Sequence, residues 1–525
     1  MARTSEIPVL IVGGGASGSA LSMELARRGV EYRCIDRMAG PGRESRAIAM
    51  HARTIELIDL VDEGLARQML DRDLWCRGYV MHFLREGERT EVRPGLDFTT
   101  VDSRYNCILA HNQSETETFI REYTSSRFGG RVEYSTTFQD LAQDADGVTA
   151  RVIHTDRNDE EELIRCQYLV AADGINSRVR RGLGLPVKGK DYTGSFFQNL
   201  DIHLHGFTDW TDHFHYCVGT DHFLMVAPLP GGHFRLLLSD RGEAADPSLT
   251  PQQAFMRVLA QHYDGITMGD LVWHSRWETW VRLADTFRQG GVFLMGDSAH
   301  VHSTTGGQGM NCCMQDAFNL GWKLALVVKG YANDTLLDTY ESERRPIAEQ
   351  VIWAASSLHD IFMTHGKDIA QRRETMFEPG YTEKVVNYCS GVAYTYAGAA
   401  AAGSAASADA GPVVASLHGP AAGDRTPDVD FEQGGRLFDR LRHPYFTLLA
   451  MPGRRDLAPI VDGVQARFGH CVAVETLPES AALAARYGQN DGRLFLVRPD
   501  GYVAGKAHAD DASALEGWLA RTLRA

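Results

Sequence analysis

No apolar run in this chain is long enough to cross a membrane. The first, Val9–Val12, stops at a row of glycines. It falls far short of the ~20 residues of a membrane span and is too short for the core of an export signal. The stretch Ala397–Ala410 is small and interrupted by polar residues, so it reads as a linker. Positive charge is scarce: 53 Lys and Arg stand against 68 Asp and Glu, a net charge of −15. No Lys/Arg block is long enough to make a basic patch, so neither nucleic acid nor a membrane surface is an expected partner. Cysteine is sparse too. The nine residues lack any metal-ligand spacing, which suggests reduced thiols in a cytoplasmic protein. The adjacent Cys312 and Cys313 read as small residues packed at a helix start, because a bridge between neighbours needs strained geometry. No Ser/His/Asp or Cys/His constellation is recognisable. What remains is ordinary for a globular protein: 44% hydrophobic and 23% charged residues, in a chain long enough for two to four domains.

Against that background, three glycine-bearing elements stand out. The first follows the apolar strand Pro8–Val12 and reads Gly13-Gly14-Gly15-Ala16-Ser17-Gly18. A helical pattern runs from about Ser19 to Arg28 and Gly29 ends it; a second strand, Tyr32–Ile35, delivers Asp36. Strand, turn, helix, strand and acid in this register make a dinucleotide half-site. Gly13 permits the tight turn, Gly15 lets N–H groups approach a pyrophosphate, and Gly18 lets helix and strand approach closely. Ala16 and Ser17 complete the turn, and Asp36, with its neighbour Arg37, is placed for a ribose.

The second element is Asp173-Gly174, at the end of an expected strand Leu163–Val170, which follows a strand Val148–Ile153. An acid and a glycine at a strand's carboxyl end sit where open α/β sheets bind ligands. Taken alone, they also read as a turn before a surface arginine cluster, Arg178–Arg181. The third element follows the strand Gly291–Met295: Gly296-Asp297-Ser298-Ala299-His300, then Gly306-Gly307-Gln308-Gly309-Met310-Asn311. A helical pattern from about Asn311 to Val328 follows. A glycine-rich turn opening a helix offers unpaired N–H groups and a partial positive charge.

In this order and spacing, the three elements resemble the fingerprints of the single-component FAD-dependent aromatic hydroxylases. That group includes the p-hydroxybenzoate and phenol hydroxylases and the tailoring hydroxylases of aromatic polyketides. Arg46–Arg53 resembles the segment along the flavin, and Gln113–Glu117 the helix start whose glutamine touches the cofactor. Ser114 and Glu117 also have capping-box spacing. Tyr340–Pro346 resembles an element after the flavin helix. Many relatives carry proline at or beside Ser303 and Thr304; here none occurs until Pro346.

The resemblance implies an α/β fold. A Rossmann-like FAD-binding domain of the GR2 type would comprise residues 1–74, 106–190 and 286–385. An antiparallel-sheet substrate domain would comprise 75–105 and 191–285, a linker 386–411, and a thioredoxin-like domain 412–525. The implied reaction is hydroxylation of a phenolic or polyketide-type aromatic by NADPH or NADH and O2, through a flavin C4a-hydroperoxide. An epoxidase, a Baeyer–Villiger oxygenase, an oxidase and an idle flavin-binding assembly protein remain alternatives. Homo-oligomerisation stays open. The expected cofactor residues are Gly13, Gly15, Ala16, Ser17, Gly18, Asp36, Arg37, Arg46, Arg53, Gln113, Asp173, Asp297, Gly306, Gly307, Gln308, Gly309, Met310 and Asn311. No metal is expected, although His203/His205 and His213/His215 pair on strand faces, because no Cys or carboxylate spacing completes a site. No side chain need act as a nucleophile; His222 and Arg46 are the candidates for a catalytic role. The tail holds only Cys471, too few thiols for dithiol chemistry.

Overall fold

The computed structural model describes residues 3–42, 45, 47–84, 90–189, 191–239, 246, 248–363, 368–397, 419–453, 456–488, 492–508 and 512–524. Of five sheets among them, three large ones organise the fold. The first has eight strands, and its centre is parallel. Arg3–Val12 lies between Tyr32–Ile35 and Glu160–Ala171, and Val292–Leu294 pairs on the far side of Glu160–Ala171. The register is decisive. Val12 is level with Ala171, and Ala171 with Leu294. The three glycine-bearing elements therefore leave the carboxyl ends of three adjacent parallel strands. The apolar run Val9–Val12 is buried, as expected for a strand covered on both faces.

Two helices pack together beside this sheet. Ala16–Ala26 follows the first glycine turn and Gly309–Val328 follows the last. Gly321 permits the approach, since a Cβ there would lie 2.6 Å from Glu24 Cβ. The expected helix start at Gln113 is observed, but the capping box of Ser114 and Glu117 is corrected. The helix is Gln113–Phe128, its N-cap is Asn112, and no side chain caps it. Ser114 thus falls inside the first turn, and Glu117 instead accepts hydrogen bonds from Gln113 and Arg121.

The second sheet has seven strands, Gly78–Phe83 and Glu91–Asp97 among them. The expectation of a wholly antiparallel sheet is corrected at one place: His213–Val218 pairs parallel with Gly78–Phe83. Those strands lie 130 residues apart, so no hairpin dictates their direction. The third sheet has the order Val472–Thr476, Phe446–Ala450, Arg493–Val497, Val503–His508, with the first pair parallel and the others antiparallel. The expected linker start at 386 is also corrected. Helix Tyr381–Ser390 runs through it, and Tyr394 and Tyr396 are buried with Cys312, Ile347, Val351 and Tyr502. The remainder of the expected linker, 398–411, lies outside the described residues. None of the helices among the described residues is long and apolar enough to cross a membrane.

Candidate active site

The first turn is tight for a visible reason. Gly13 has φ +108°, and a Cβ on it would lie 2.3 Å from Ala172 O; a Cβ on Gly18 would lie 1.9 Å from Gly13 O. The turn thereby seals the first element against the second. Gly15 differs, because a Cβ there would meet only Glu117 Oε1, at 3.9 Å. The space above it belongs to no atom of the described residues. Asp36 accepts hydrogen bonds from Gly14 N at 2.7 Å and Met38 N at 2.8 Å. A carboxylate has about four acceptor positions, so two remain for a ligand. Arg37, just beyond, is exposed. Gln113 places its helix beside the turn; it donates from Nε2 to Glu117 Oε1 at 2.9 Å.

The second and third elements are stitched together by Arg180. This buried side chain donates to Ser298 O at 2.7 Å and to Ile175 O at 2.8 Å. The sequence reading left Arg180 within a surface cluster; only Arg178 and Arg181 are exposed. Asp173 accepts Arg178 N at 2.7 Å at the start of the short helix Arg178–Gly182, which Ser177 caps, and its Oδ1 is buried without a partner among the described residues. Burial lifts its pKa against the pull of those N–H bonds. A cavity of about 220 Å³ lies between the two elements, lined by Ile175, Arg180, Trp280, Asp297 and His300. Asp297 is exposed and accepts the Cys313 thiol at 3.4 Å.

Beneath the third element lies a buried charge cluster. His300 Nε2 is 2.7 Å from Asp316 Oδ2, and Arg344 Nε donates to Asp316 Oδ1 at 2.7 Å. Burial opposes charge on His300, but Cys312 and Asp316 outweigh it and push its pKa up. The ligand atoms of His300, Cys312 and Asp316 converge as a metal site's would. The Arg344 guanidinium already supplies the cation there, contacting Cys312 O and Sγ as well.

The turn Gly306–Gly307 is pinned on several sides. His51 Nε2 lies 3.0 Å from Gly306 O. Burial lowers the His51 pKa to about 4, so the ring is neutral and Nε2 carries the proton. Tyr79 stands beside the turn, its hydroxyl 4.0 Å from where a Cβ on Gly307 would lie, and its ring packs edge-on against Tyr216 at 4.6 Å. Asn311 Nδ2 donates to Gly307 O at 2.9 Å and to Ala49 O at 2.8 Å. Gly307 N donates to Thr304 O. The donors left for a ligand are therefore the N–H groups that open helix Gly309–Val328. Gln308 Oε1 is buried there without a partner, Met310 is buried, and a Cβ on Gly309 would meet nothing within 4 Å.

Two expectations are corrected here. Arg53 is fully buried in the joint with the third sheet. It donates to Glu56 and Asp500 O and lies over the Tyr502 ring at 4.7 Å. Its charge is consumed there. His222 is committed as well: Nδ1 is 3.0 Å from Asp221 Oδ1 and Nε2 is 2.7 Å from His262 Nε2. It belongs to a buried group with His82, His215 and Tyr263 that binds helix Pro251–His262 to the sheet. Arg46 lies outside the described residues.

The arrangement fits FAD. Open space over Gly15 and Gly309, free N–H groups at two helix starts, and spare acceptors on Asp36 suit a two-ended dinucleotide. Comparison with known proteins agrees. A model of the FAD binding domain matches residues 6–355, and one of the aromatic-ring hydroxylase C-terminal region matches 419–525. The chain belongs to the FAD-dependent aromatic hydroxylases. It is 34% identical to pentachlorophenol 4-monooxygenase of Sphingobium chlorophenolicum, over 98% of this chain and 96% of that one. It is 31% identical to tetracenomycin A2 monooxygenase-dioxygenase of Streptomyces glaucescens, over 99% and 98%. A solved ternary complex of aklavinone-11 hydroxylase with FAD and aklavinone superposes with TM-score 0.76 at 28% identity, over 98% and 99%. This hydroxylase is thus an FAD-dependent monooxygenase that uses NAD(P)H and O2.

Proposed function

We propose that this hydroxylase oxidises a phenolic ring, monocyclic or polyketide-type, held against the Gly306–Gly307 turn. The observation that carries this reading is a continuous row of buried rings behind the turn. His51 stacks on Phe98 at 5.3 Å, Phe98 meets Tyr79 at 5.8 Å, and Tyr79 meets Phe214 and Tyr216 at 5.7 and 4.6 Å. Such a wall favours a flat aromatic guest. The relatives' names point the same way, to chlorinated phenol and to polycyclic aromatics.

Bound FAD supplies reduction by NAD(P)H and the delivery of one oxygen atom from O2 to the ring. The chain's own residues bind, orient and exclude water. Asp36 and the N–H groups near Gly15 would hold the adenosine end, with Ala16, Ser17 and Gln113 at its side. Asp297 would meet the ribityl chain. The N–H groups of Gly309–Asn311, with Gln308, would face the isoalloxazine, where the helix end favours negative charge by about 0.3–1 kcal/mol. Asp173 acts through the start of helix Arg178–Gly182. A screen of simple phenols and polycyclic phenols for acceleration of NAD(P)H oxidation tests the reading; acceleration by neither class would refute it.

We assign the domains as read from the sequence, with residues 386–397 moved from the linker to the GR2-type flavin unit. The third sheet supports a thioredoxin-like tail. A parallel pair joined by helix Ala458–Phe468 is followed by an antiparallel hairpin. Burial pushes the Cys471 thiol up to about 12, so the tail serves assembly and not redox exchange. Nine buried free thiols suit a reducing cytoplasm.

A further inference from the structure

The turn that precedes helix Gly309–Val328 has positive φ at Gly306 (+90°) and Gly307 (+64°), and no proline lies between Pro251 and Pro346. Its backbone carries no covalent restraint. It is nonetheless tied down, and by more than the His51 contact. Ser303 Oγ lies 3.0 Å from His359 Nδ1 and 3.1 Å from Thr305 Oγ1, and Thr305 Oγ1 donates to Ala355 O at 2.7 Å. His359, Ala355 and Leu358 all belong to the long helix Asp338–Met363. Leu358 packs on the same turn, since a Cβ on Gly306 would lie 3.3 Å from Leu358 Cδ1. Ser303, Thr305 and His359 are all buried.

His359 has a second contact that a mere loop anchor would not need. Its ring stands edge-on to Phe197 at 6.4 Å, and Phe197 stacks on Trp277 at 5.1 Å. Both aromatics belong to the second sheet, in strands Asp191–His205 and Thr267–Trp280. One imidazole therefore touches the turn, the long helix and the sheet. Shifting any of the three strains its contacts with the others, because packed interiors deform in discrete steps.

We propose that His359 is a positioning residue for the cofactor turn. Through Ser303 and Thr305 it fixes the turn by hydrogen bonds where a rigid backbone residue would otherwise be required, and it sets the turn's place relative to the sheet. The proposal rests on the reading that this turn receives the isoalloxazine. It predicts that the tether controls how firmly the flavin ring is held, rather than whether the chain folds.

Position 304 offers a direct complement. Thr304 is exposed, and its N–H makes no hydrogen bond among the described residues. Proline costs no hydrogen bond at such a site and would fix φ there. The test uses the full chain loaded with FAD, in the forms His359→Ala, His359→Asn, Ser303→Ala, and His359→Ala combined with Thr304→Pro. The readouts are flavin fluorescence, the visible spectrum of the bound flavin and the FAD dissociation constant. His359→Ala and Ser303→Ala are expected to bind one FAD per chain with about tenfold weaker affinity, the scale of one lost hydrogen bond. Their bound flavin should fluoresce more strongly, with a less structured spectrum. His359→Asn keeps a polar atom near Ser303 and should stay close to the parent. Thr304→Pro should restore the parent spectrum in the His359→Ala background. Parent-like fluorescence and affinity in both alanine variants would overturn the proposal. So would equal damage in His359→Asn and His359→Ala with no recovery from Thr304→Pro. Should His359→Ala not fold, Ser303→Ala carries the same test with a smaller change. A parent chain that takes up no FAD would refute the cofactor reading itself, and the proposal with it.

Discussion

Arg498 of the C-terminal region grips Glu343 of the long helix through two N–H···O bonds, of 2.7 and 2.8 Å. The same guanidinium binds Asp500, and Lys323 donates to Glu343 at 2.8 Å. All four side chains are buried. Burial alone would raise the Glu343 pKa, but Arg498 and Lys323 pull it down to about 2. The C-terminal region is thereby locked onto the helix that also carries His359. Replacing Arg498 with alanine leaves two buried carboxylates facing one lysine. The expected cost is about 3–5 kcal/mol, read by urea denaturation. A loss below about 1 kcal/mol would show that water or rearrangement compensates the pair.

Acid should destabilise the fold early. Burial lowers the pKa of His51, His215 and His302 to about 4 and of His82 to about 3. Each folded value lies below the unfolded value of about 6.5, so the unfolded chain takes the proton first. Stability is then complete above pH 6.5 and declines as pH falls toward the folded values. At pH 5.5 each of the four has cost about 1.4 kcal/mol. His300 acts in the opposite sense, since its folded pKa is raised, and it offsets part of this loss. Urea midpoints at pH 7.5 and 5.5 should differ accordingly, and equal midpoints would mean that these rings are hydrated or repartnered.

Asp36 gives a binding prediction. Asp36→Ala removes the spare acceptors and also releases Gly14 N. FAD affinity should weaken by about 1.5–3 kcal/mol, the scale of hydrogen bonds to a charged group. Unchanged affinity by titration would remove Asp36 from the ribose.

Two glycines separate folding from binding. Gly309→Ala adds a methyl group where no atom of the described residues lies within 4 Å. The chain should fold as well as the parent, since alanine is the better helix former by about 1 kcal/mol, yet FAD should bind less tightly. Gly18→Ala places its Cβ 1.9 Å from Gly13 O and should lower thermal stability as well. Equal effects of both on folding would contradict the assignment of the open space to ligand.

Local patterns in the chain were the legible part. The turn Gly13–Gly18, the strand Tyr32–Ile35 and Asp36 lie within one βαβ unit, so their spacing fixes their geometry. What escaped depends on distant partners. Arg180 meets Ser298 across 118 residues, His51 meets Gly306 across 255 and Ser303 meets His359 across 56. No periodicity encodes such contacts. Arg53 was misread for the same reason: its partner Asp500 is 447 residues away. The parallel pairing of His213–Val218 with Gly78–Phe83 was hidden likewise, because alternation along a strand shows which face is buried but not which neighbour it takes.

Oxygen transfer at a flavin held where three adjacent strands end is the central claim. The most direct measurement is mass analysis of products formed by the FAD-loaded protein from a phenol panel, with NAD(P)H under ¹⁸O₂. One labelled oxygen atom per product ring is the expected result. Flavin bound and reduced by NAD(P)H, with no labelled ring product from any phenol, would contradict it.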